Sequence, residues 1–251
     1  MLRPILFQLR ETIGEYGMEK DRESRRHKTY RTLFLVFCIA ACKELFFWLF
    51  PDELVLNTAV KLVAGAAVIL VSCGLRYRPS SAEEKAIITA VFLYILADLV
   101  MRWIFLLSGA LFLAGHLIVI FCLTRKKKPS RKGLVVWAVQ TGIETPFLIC
   151  LFQKNGLSLA AGLAGALYGS VLVLMTVCAA DHVKILAAAV ILFVCSDFLL
   201  ALFKLSSSLR WIHTPSILLF YLSIGLFLIY CRDYAQRDGN TDMDLQESMK
   251  E

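Results

Sequence analysis

The sequence predicts an all-α, polytopic membrane helical bundle of about eight transmembrane helices, and three observations carry that prediction. Of its 251 residues, 58% are hydrophobic and only 19% are charged, with a mean hydropathy of +0.67. A soluble domain is about 45–50% apolar and about 25% charged, so neither a water-soluble globule nor a disordered chain fits. Eight apolar runs of spanning length follow one another, separated by short polar breaks. The basic residues gather in alternate breaks, as they do when a chain crosses a bilayer repeatedly.

The elements follow in order. Residues 1–31 carry Arg3, Arg10, Lys20, Arg22, Arg25, Arg26, Lys28 and Arg31 without a short apolar core or cleavage site, so they read as a basic cytoplasmic arm and not a signal peptide. Leu2, Ile5, Leu6, Leu9 and Ile13 recur at helical spacing, which suits an interfacial helix or a solvated arm. A spanning helix needs about 20 mostly apolar residues. The runs 32–50, 54–74, 85–107, 109–124, 134–152, 157–180, 183–204 and 215–231 meet or approach that length. Pro51-Asp52-Glu53, the stretch 76–81, Ser108-Gly109, the stretch 125–132, Asn155-Gly156, Asp181-His182 and the stretch 206–208 are the breaks. The third and fourth spans, joined by almost nothing, are expected to form a tight hairpin. The tail 232–251 is polar, with Asp233, Asp238, Asp242, Asp244, Glu247 and Glu251, and reads as solvated.

With the N-terminus inside, 21 of the 27 lysines and arginines fall on the inner side. Only Lys154, Lys204 and Arg210 fall outside, and Lys43, Lys61 and Arg102 lie within spans. The expectation is a multi-pass cell-membrane protein with both termini cytoplasmic. The net charge of +7 then reflects orientation and contact with anionic lipid, with the bilayer as partner and no nucleic acid. Oligomeric state is left open. Eight cysteines are spread one or two per apolar run, with no CxxC and no Cys/His cluster, so no metal, cofactor or disulfide framework is expected.

Ionisable groups inside a bilayer are costly and mark function by default. Glu44, Lys61, Asp98, His116, Glu144, Asp197 and Tyr221 each lie six to nine residues from the outer end of their predicted span. At a rise of about 1.5 Å per residue they share one layer, about 9–14 Å below the outer surface. If they face inward, they line one polar cavity. Structural accounts stand beside that reading. Asp98 and Arg102 are four apart and suited to a private ion pair, as Gln140 and Glu144 are to a hydrogen bond. Lys43 and Glu44 are adjacent and need separate partners. His27, His182 and His213 sit at or beyond span ends and carry little weight. The small-residue run Ala161-Gly162-Leu163-Ala164-Gly165-Ala166-Leu167-Tyr168-Gly169 suits close helix packing within the bundle or, less readily, a dimer contact.

Three stretches carry a resemblance. They are Leu93-Tyr94-Ile95-Leu96-Ala97-Asp98, Ser108-Gly109-Ala110-Leu111-Phe112-Leu113-Ala114-Gly115-His116 and Phe193-Val194-Cys195-Ser196-Asp197-Phe198-Leu199-Leu200-Ala201. Over about residues 32–231 the chain resembles the YhhN family of eight-span membrane proteins, whose characterised members are lysoplasmalogenases. That family is marked by a Gly-Asp in the third span, a Gly-x-x-x-Phe-x-x-x-His hairpin, a Phe-x-x-Ser-Asp-x-x-Leu-Ala run, an early lysine in the second span and a Tyr-x-x-Gln in the last. This chain departs at Ala97, at Val119 where an aromatic is expected, at Leu62 where proline follows the lysine, and at Ile224 where glutamine is expected.

The resemblance implies hydrolysis of a lysophospholipid vinyl ether to a fatty aldehyde and a glycerophospho-base. Such a reaction needs a proton donor for the vinyl carbon and a carboxylate to activate water. On that basis Asp98, Asp197 and His116 are the candidate catalytic residues, and Lys61, Tyr221 and Glu44 the candidate substrate-binding residues. A small transporter or a lipid-binding membrane protein using the same polar pocket remains the alternative.

Overall fold

The computed structural model describes residues 2–74, 77–156, 158–180, 182–205 and 211–233. They form eight helices: α1 (Leu2–Leu49), α2 (Leu54–Cys73), α3 (Ala82–Val100), α4 (Phe105–Lys126), α5 (Arg131–Lys154), α6 (Leu159–Ala180), α7 (Lys184–Leu205) and α8 (His213–Asp233). Seven are long and apolar enough to cross a membrane, α1 through its Arg26–Leu49 portion. The eighth, α3, carries Glu83, Glu84, Lys85 and Asp98 within its 19 residues. The expected arm is the first part of one 48-residue helix continuous with the first span. The tail beyond 233, the break at 206–208 and Asp181 lie outside the described residues.

Consecutive helices pack on one another except α4 and α5, most extensively α3 with α4, α5 with α6 and α7 with α8, and α8 also touches α1, α2 and α3. All residues from 223 to 231 in α8 are buried. A helix apolar on every side is a central helix. By contrast, α5 packs mainly on α6 and has no buried residue. The small-residue run of α6 is intramolecular packing: Cβ atoms at Gly162 and Gly165 would meet Ile149 at 3.1 Å and Phe152 at 3.0 Å. Large apolar side chains face outward, among them Phe34, Val63, Leu106, Phe121, Ile143, Phe147 and Phe198. In a bilayer that face meets hydrocarbon, so the inverted surface costs nothing.

Polar contacts stitch the ends together. At the basic end Lys126 Nζ lies 2.7 Å from Glu83 Oε2, Tyr230 Oη donates to Glu83 Oε1 (2.9 Å), and Arg232 donates to the Ser72 carbonyl (2.8 Å). At the other end Trp48 donates to Thr214 (3.0 Å) and Trp103 to Thr58 (3.3 Å), as tryptophans do at a membrane interface. Between α7 and α8 the Ser196 and Ser216 hydroxyls each donate to the other's carbonyl at 2.9 Å.

At the basic end Ser81 caps α3, accepting from the Glu84 N–H (3.1 Å), while the Glu84 carboxylate folds back onto the N-cap. Burial pushes the Glu84 carboxyl up, but hydrogen bonds from Tyr77 (2.7 Å), the Ser80 N–H and the Ser80 and Ser81 hydroxyls outweigh it and hold it below the ordinary glutamate range. A depressed carboxyl stabilises the fold above its unfolded value and loses that contribution as pH falls through the folded one. Thermal melts in detergent are therefore expected to lose stability below the ordinary glutamate range, and Glu84→Gln to flatten that part of the profile. An unchanged profile would remove Glu84 as a contributor.

The third span ends earlier than expected. Trp103 and Ile104 both donate N–H bonds to the Val100 carbonyl at 2.9 Å, closing a turn over 101–104. Arg102 and Trp103 can pair there with the Pro51 carbonyl (3.2 Å) and Thr58, which a continuous helix would forbid. Ser108 and Gly109 fall in the first turns of α4, where Ser108 is buried. Asp98 consequently lies two residues from the end of α3, whereas His116 lies eleven past the start of α4. The single shared layer therefore does not hold for Asp98 and His116.

Candidate active site

Asp98 is 3% exposed and draws partners from two other helices. Lys61 on α2 places Nζ 2.6 Å from Asp98 Oδ1 and donates to its backbone carbonyl at 2.7 Å, while Tyr221 on α8 donates to Oδ2 at 3.4 Å. Lys43 then sits 5.5 Å from the Tyr221 ring centroid and pairs with Glu44 at 3.1 Å. Glu44 Oε2 contacts His213 Nδ1 (3.1 Å) and accepts from Thr214 (3.3 Å). Lysine and carboxylate alternate along this first network, so each buried charge has its counter-charge. Two expectations are corrected here. Arg102 lies over the Phe47 ring and does not pair with Asp98. Lys43 and Glu44, although adjacent, bond each other because their side chains both turn into the bundle.

The second network starts at Asp197, 8% exposed on α7. Tyr168 on α6 donates to Asp197 Oδ2 and lies 3.0 Å from His116 Nε2 on α4. His116 Nδ1 lies 2.9 Å from Tyr94 Oη on α3. His116 Nε2 itself is 3.7 Å from Asp197 Oδ2, too far for a hydrogen bond. Phe112, Phe193, Phe220 and Phe227 pack around this chain, with the Phe193 ring 4.4 Å from Tyr94 and 5.0 Å from His116 between centroids.

The two networks meet at a narrow cleft lined by Asp98, Met101, Phe112, Ser196, Asp197, Leu200, Ser216, Ile217 and Phe220. Its free interior admits about one water molecule. Asp98 and Asp197 thus border the same space. Lys61 and Tyr221 stand behind Asp98, and His116 stands behind Asp197 through Tyr168. Glu44 joins only by way of Lys43 and Tyr221. Glu144 lies apart on α5, against Gly169, and its Oε2 is buried with no partner among the described residues. Among the same residues no group of histidine, cysteine and carboxylate side chains is arranged to hold a metal ion.

Residues 56–230 match the profile of the YhhN family, and they hold Lys61, Asp98, His116, Tyr168, Asp197 and Tyr221. The chain belongs to the YhhN family. No curated protein and no solved structure matches it. In this YhhN protein five polar partners lie outside the sequence reading of the site: Lys43, Tyr94, Tyr168, His213 and Thr214. Tyr94 was accessible in principle, because it is four residues before Asp98 and shares its helix face. Tyr168 is the sole hydroxyl in a glycine and alanine run, a signal masked by the packing role of that run. His213 was set aside for its place at a span end, which is where Glu44 meets it.

Proposed function

We propose that the protein is a membrane-embedded hydrolase that cleaves the vinyl-ether bond of a lysoplasmalogen, giving a fatty aldehyde and a glycerophospho-base. The observation that carries the reading is the cleft bordered by two carboxylates from different helices with unlike partners. YhhN membership agrees with it.

The unlike partners divide the labour. Lys61 neutralises Asp98, which therefore works as a carboxylate, whereas among the described residues Asp197 is bonded by the neutral Tyr168 hydroxyl and takes the role of proton donor. Asp197 protonates the vinyl carbon remote from oxygen, leaving an oxocarbenium ion that the Asp98 carboxylate stabilises. A water in the cleft adds to the cation as Asp98 takes its proton. The hemiacetal then collapses: Asp98 returns that proton to the departing glycerol oxygen, and the hemiacetal hydroxyl proton goes back to Asp197. One water is consumed and both aspartates are restored. Ile217, Leu200 and Phe220 supply apolar walls that keep the local dielectric low.

Purified protein incubated with lysoplasmalogen is expected to release aldehyde in step with substrate loss. Absence of aldehyde above a no-protein control would overturn the reading and favour transport or lipid binding by the same cleft. The basic end, with Lys126, Lys127, Lys128, Arg131 and Lys132, is proposed to face the cytoplasm. Reporter fusions at Lys128 should then read inside and fusions after Asn155 outside, and the reverse pattern would invert the bundle.

A further inference from the structure

We infer that Tyr168 is a positioning residue through which His116 acts on Asp197, and that with Tyr94 they form a chain whose hydrogens all point toward Oδ2 of that carboxyl. The inference rests on the hydrolase reading only for its activity readouts.

The direction of the chain is fixed at its far end. Tyr94 is fully buried, with its ring against Phe112, Phe193 and Phe227. Among the described residues its hydroxyl has one partner, His116 Nδ1. If Nδ1 carried a hydrogen, Tyr94 would have to accept it, leaving its own buried hydroxyl proton unpaired. Tyr94 therefore donates, Nδ1 is the bare nitrogen, and a neutral imidazole must carry its hydrogen on Nε2. That Nε2–H donates to Tyr168 Oη, and the Tyr168 hydroxyl is left to donate to Asp197 Oδ2. Each bond polarises the next toward the carboxyl.

This arrangement does two things for Asp197. It holds the carboxyl by one oxygen through a residue that does not itself line the cleft. It also keeps Oδ2 an acceptor in both protonation states, so that the transferable proton sits on Oδ1. Without Tyr168 the carboxyl loses both its orientation and the distinction between its oxygens. The charged and titratable groups facing Asp197 are Tyr94 from α3, His116 from α4 and Tyr168 from α6, with the Asp98–Lys61 pair across the cleft. From α8 come only Ser216, Ile217 and Phe220.

Tyr168→Phe keeps the ring and removes the hydroxyl. It is expected to lower kcat by about 10–100-fold with KM little changed, as misplacing a reacting group does. His116→Gln should cause a similar loss on its own and no further loss in the Tyr168→Phe background. Wild-type kcat in Tyr168→Phe, or full additivity with His116→Gln, would overturn the inference.

A second measurement does not need activity. Nitrogen NMR of the full chain labelled at its four histidines, with the His116 signal identified by its loss in His116→Gln, should show the Nε2–H tautomer at neutral pH. An Nδ1–H tautomer or an imidazolium would overturn the chain. If wild type releases no aldehyde, the hydrolase reading falls, while the tautomer still decides the chain.

Discussion

Asp98→Asn and Asp197→Asn are each expected to lower vinyl-ether hydrolysis by about 10²–10⁴-fold, the usual cost of removing a proton-transfer group. Asparagine keeps the shape of the side chain but neither delivers nor takes up the proton. The two variants should part company in stability. Asp98 neutralises Lys61, buried 2.6 Å away, so Asp98→Asn leaves that cation without its counter-charge. Breaking one side of a buried pair typically costs about 3–5 kcal/mol, which should show as a lower melting temperature or poorer expression. Asp197 faces the Tyr168 hydroxyl, and an asparagine oxygen accepts that bond equally, so Asp197→Asn should melt close to wild type. Adding Lys61→Gln to Asp98→Asn removes the stranded charge. Recovered stability without recovered activity supports the catalytic role, and recovered activity would show that Asp98 was never the acid or base.

Gly115→Ala is expected to be the most damaging single methyl in the bundle core. A Cβ there would sit 2.4 Å from Cε1 of the Tyr94 ring, itself fully buried among phenylalanines. Neither the ring nor the α4 backbone has room to retreat, and overpacking of this kind typically costs about 1–3 kcal/mol. The damage should not be confined to stability. Gly115 is what lets α4 approach α3 closely enough for Tyr94 to reach His116, so displacing the ring breaks that hydrogen bond as well. Gly142→Ala on α5 is the control: nothing lies within 4 Å of the added methyl, and alanine is the better helix former. Equal melting temperatures for the two variants would refute this account of the α3–α4 contact.

Hydropathy, which reports burial along one helix at a time, makes the helices legible in the sequence. Pro51, Gly74, Asn155 and Gly156 end or separate helices where expected, with Gly74 and Gly156 at positive φ. The α3–α4 break was misplaced because Ser108-Gly109 is a strong local signal for a turn. The real turn at 101–104 is stabilised by Pro51 and Thr58, residues distant in sequence. That shift has a chemical consequence, since it sets Tyr94 and not Asp98 beside His116. Lys61 and Asp98 were legible as costly intramembrane charges, but their mutual pairing is a property of two helices together. Depth along a span says which residues share a layer. Which of them turn toward each other depends on helix rotation, and Glu144, at a similar depth on the outlying α5, shows the difference.

The central place of α8 has a bearing on how the protein is made. Chains enter the membrane from the N-terminus, so the helix that α1, α2, α3 and α7 all pack against is the last of the eight to leave the ribosome. Until it arrives, Lys61 and Asp98 lack Tyr221, Ser196 lacks Ser216, and Glu83 lacks Tyr230. Until then α1, α2, α3 and α7 lack their common packing partner, and those polar side chains need temporary shelter from lipid. A nonsense mutation before His213 would remove far more than one-eighth of the bundle: it would leave a set of hairpins with no axis to close around, a species for the cell's membrane quality control to clear.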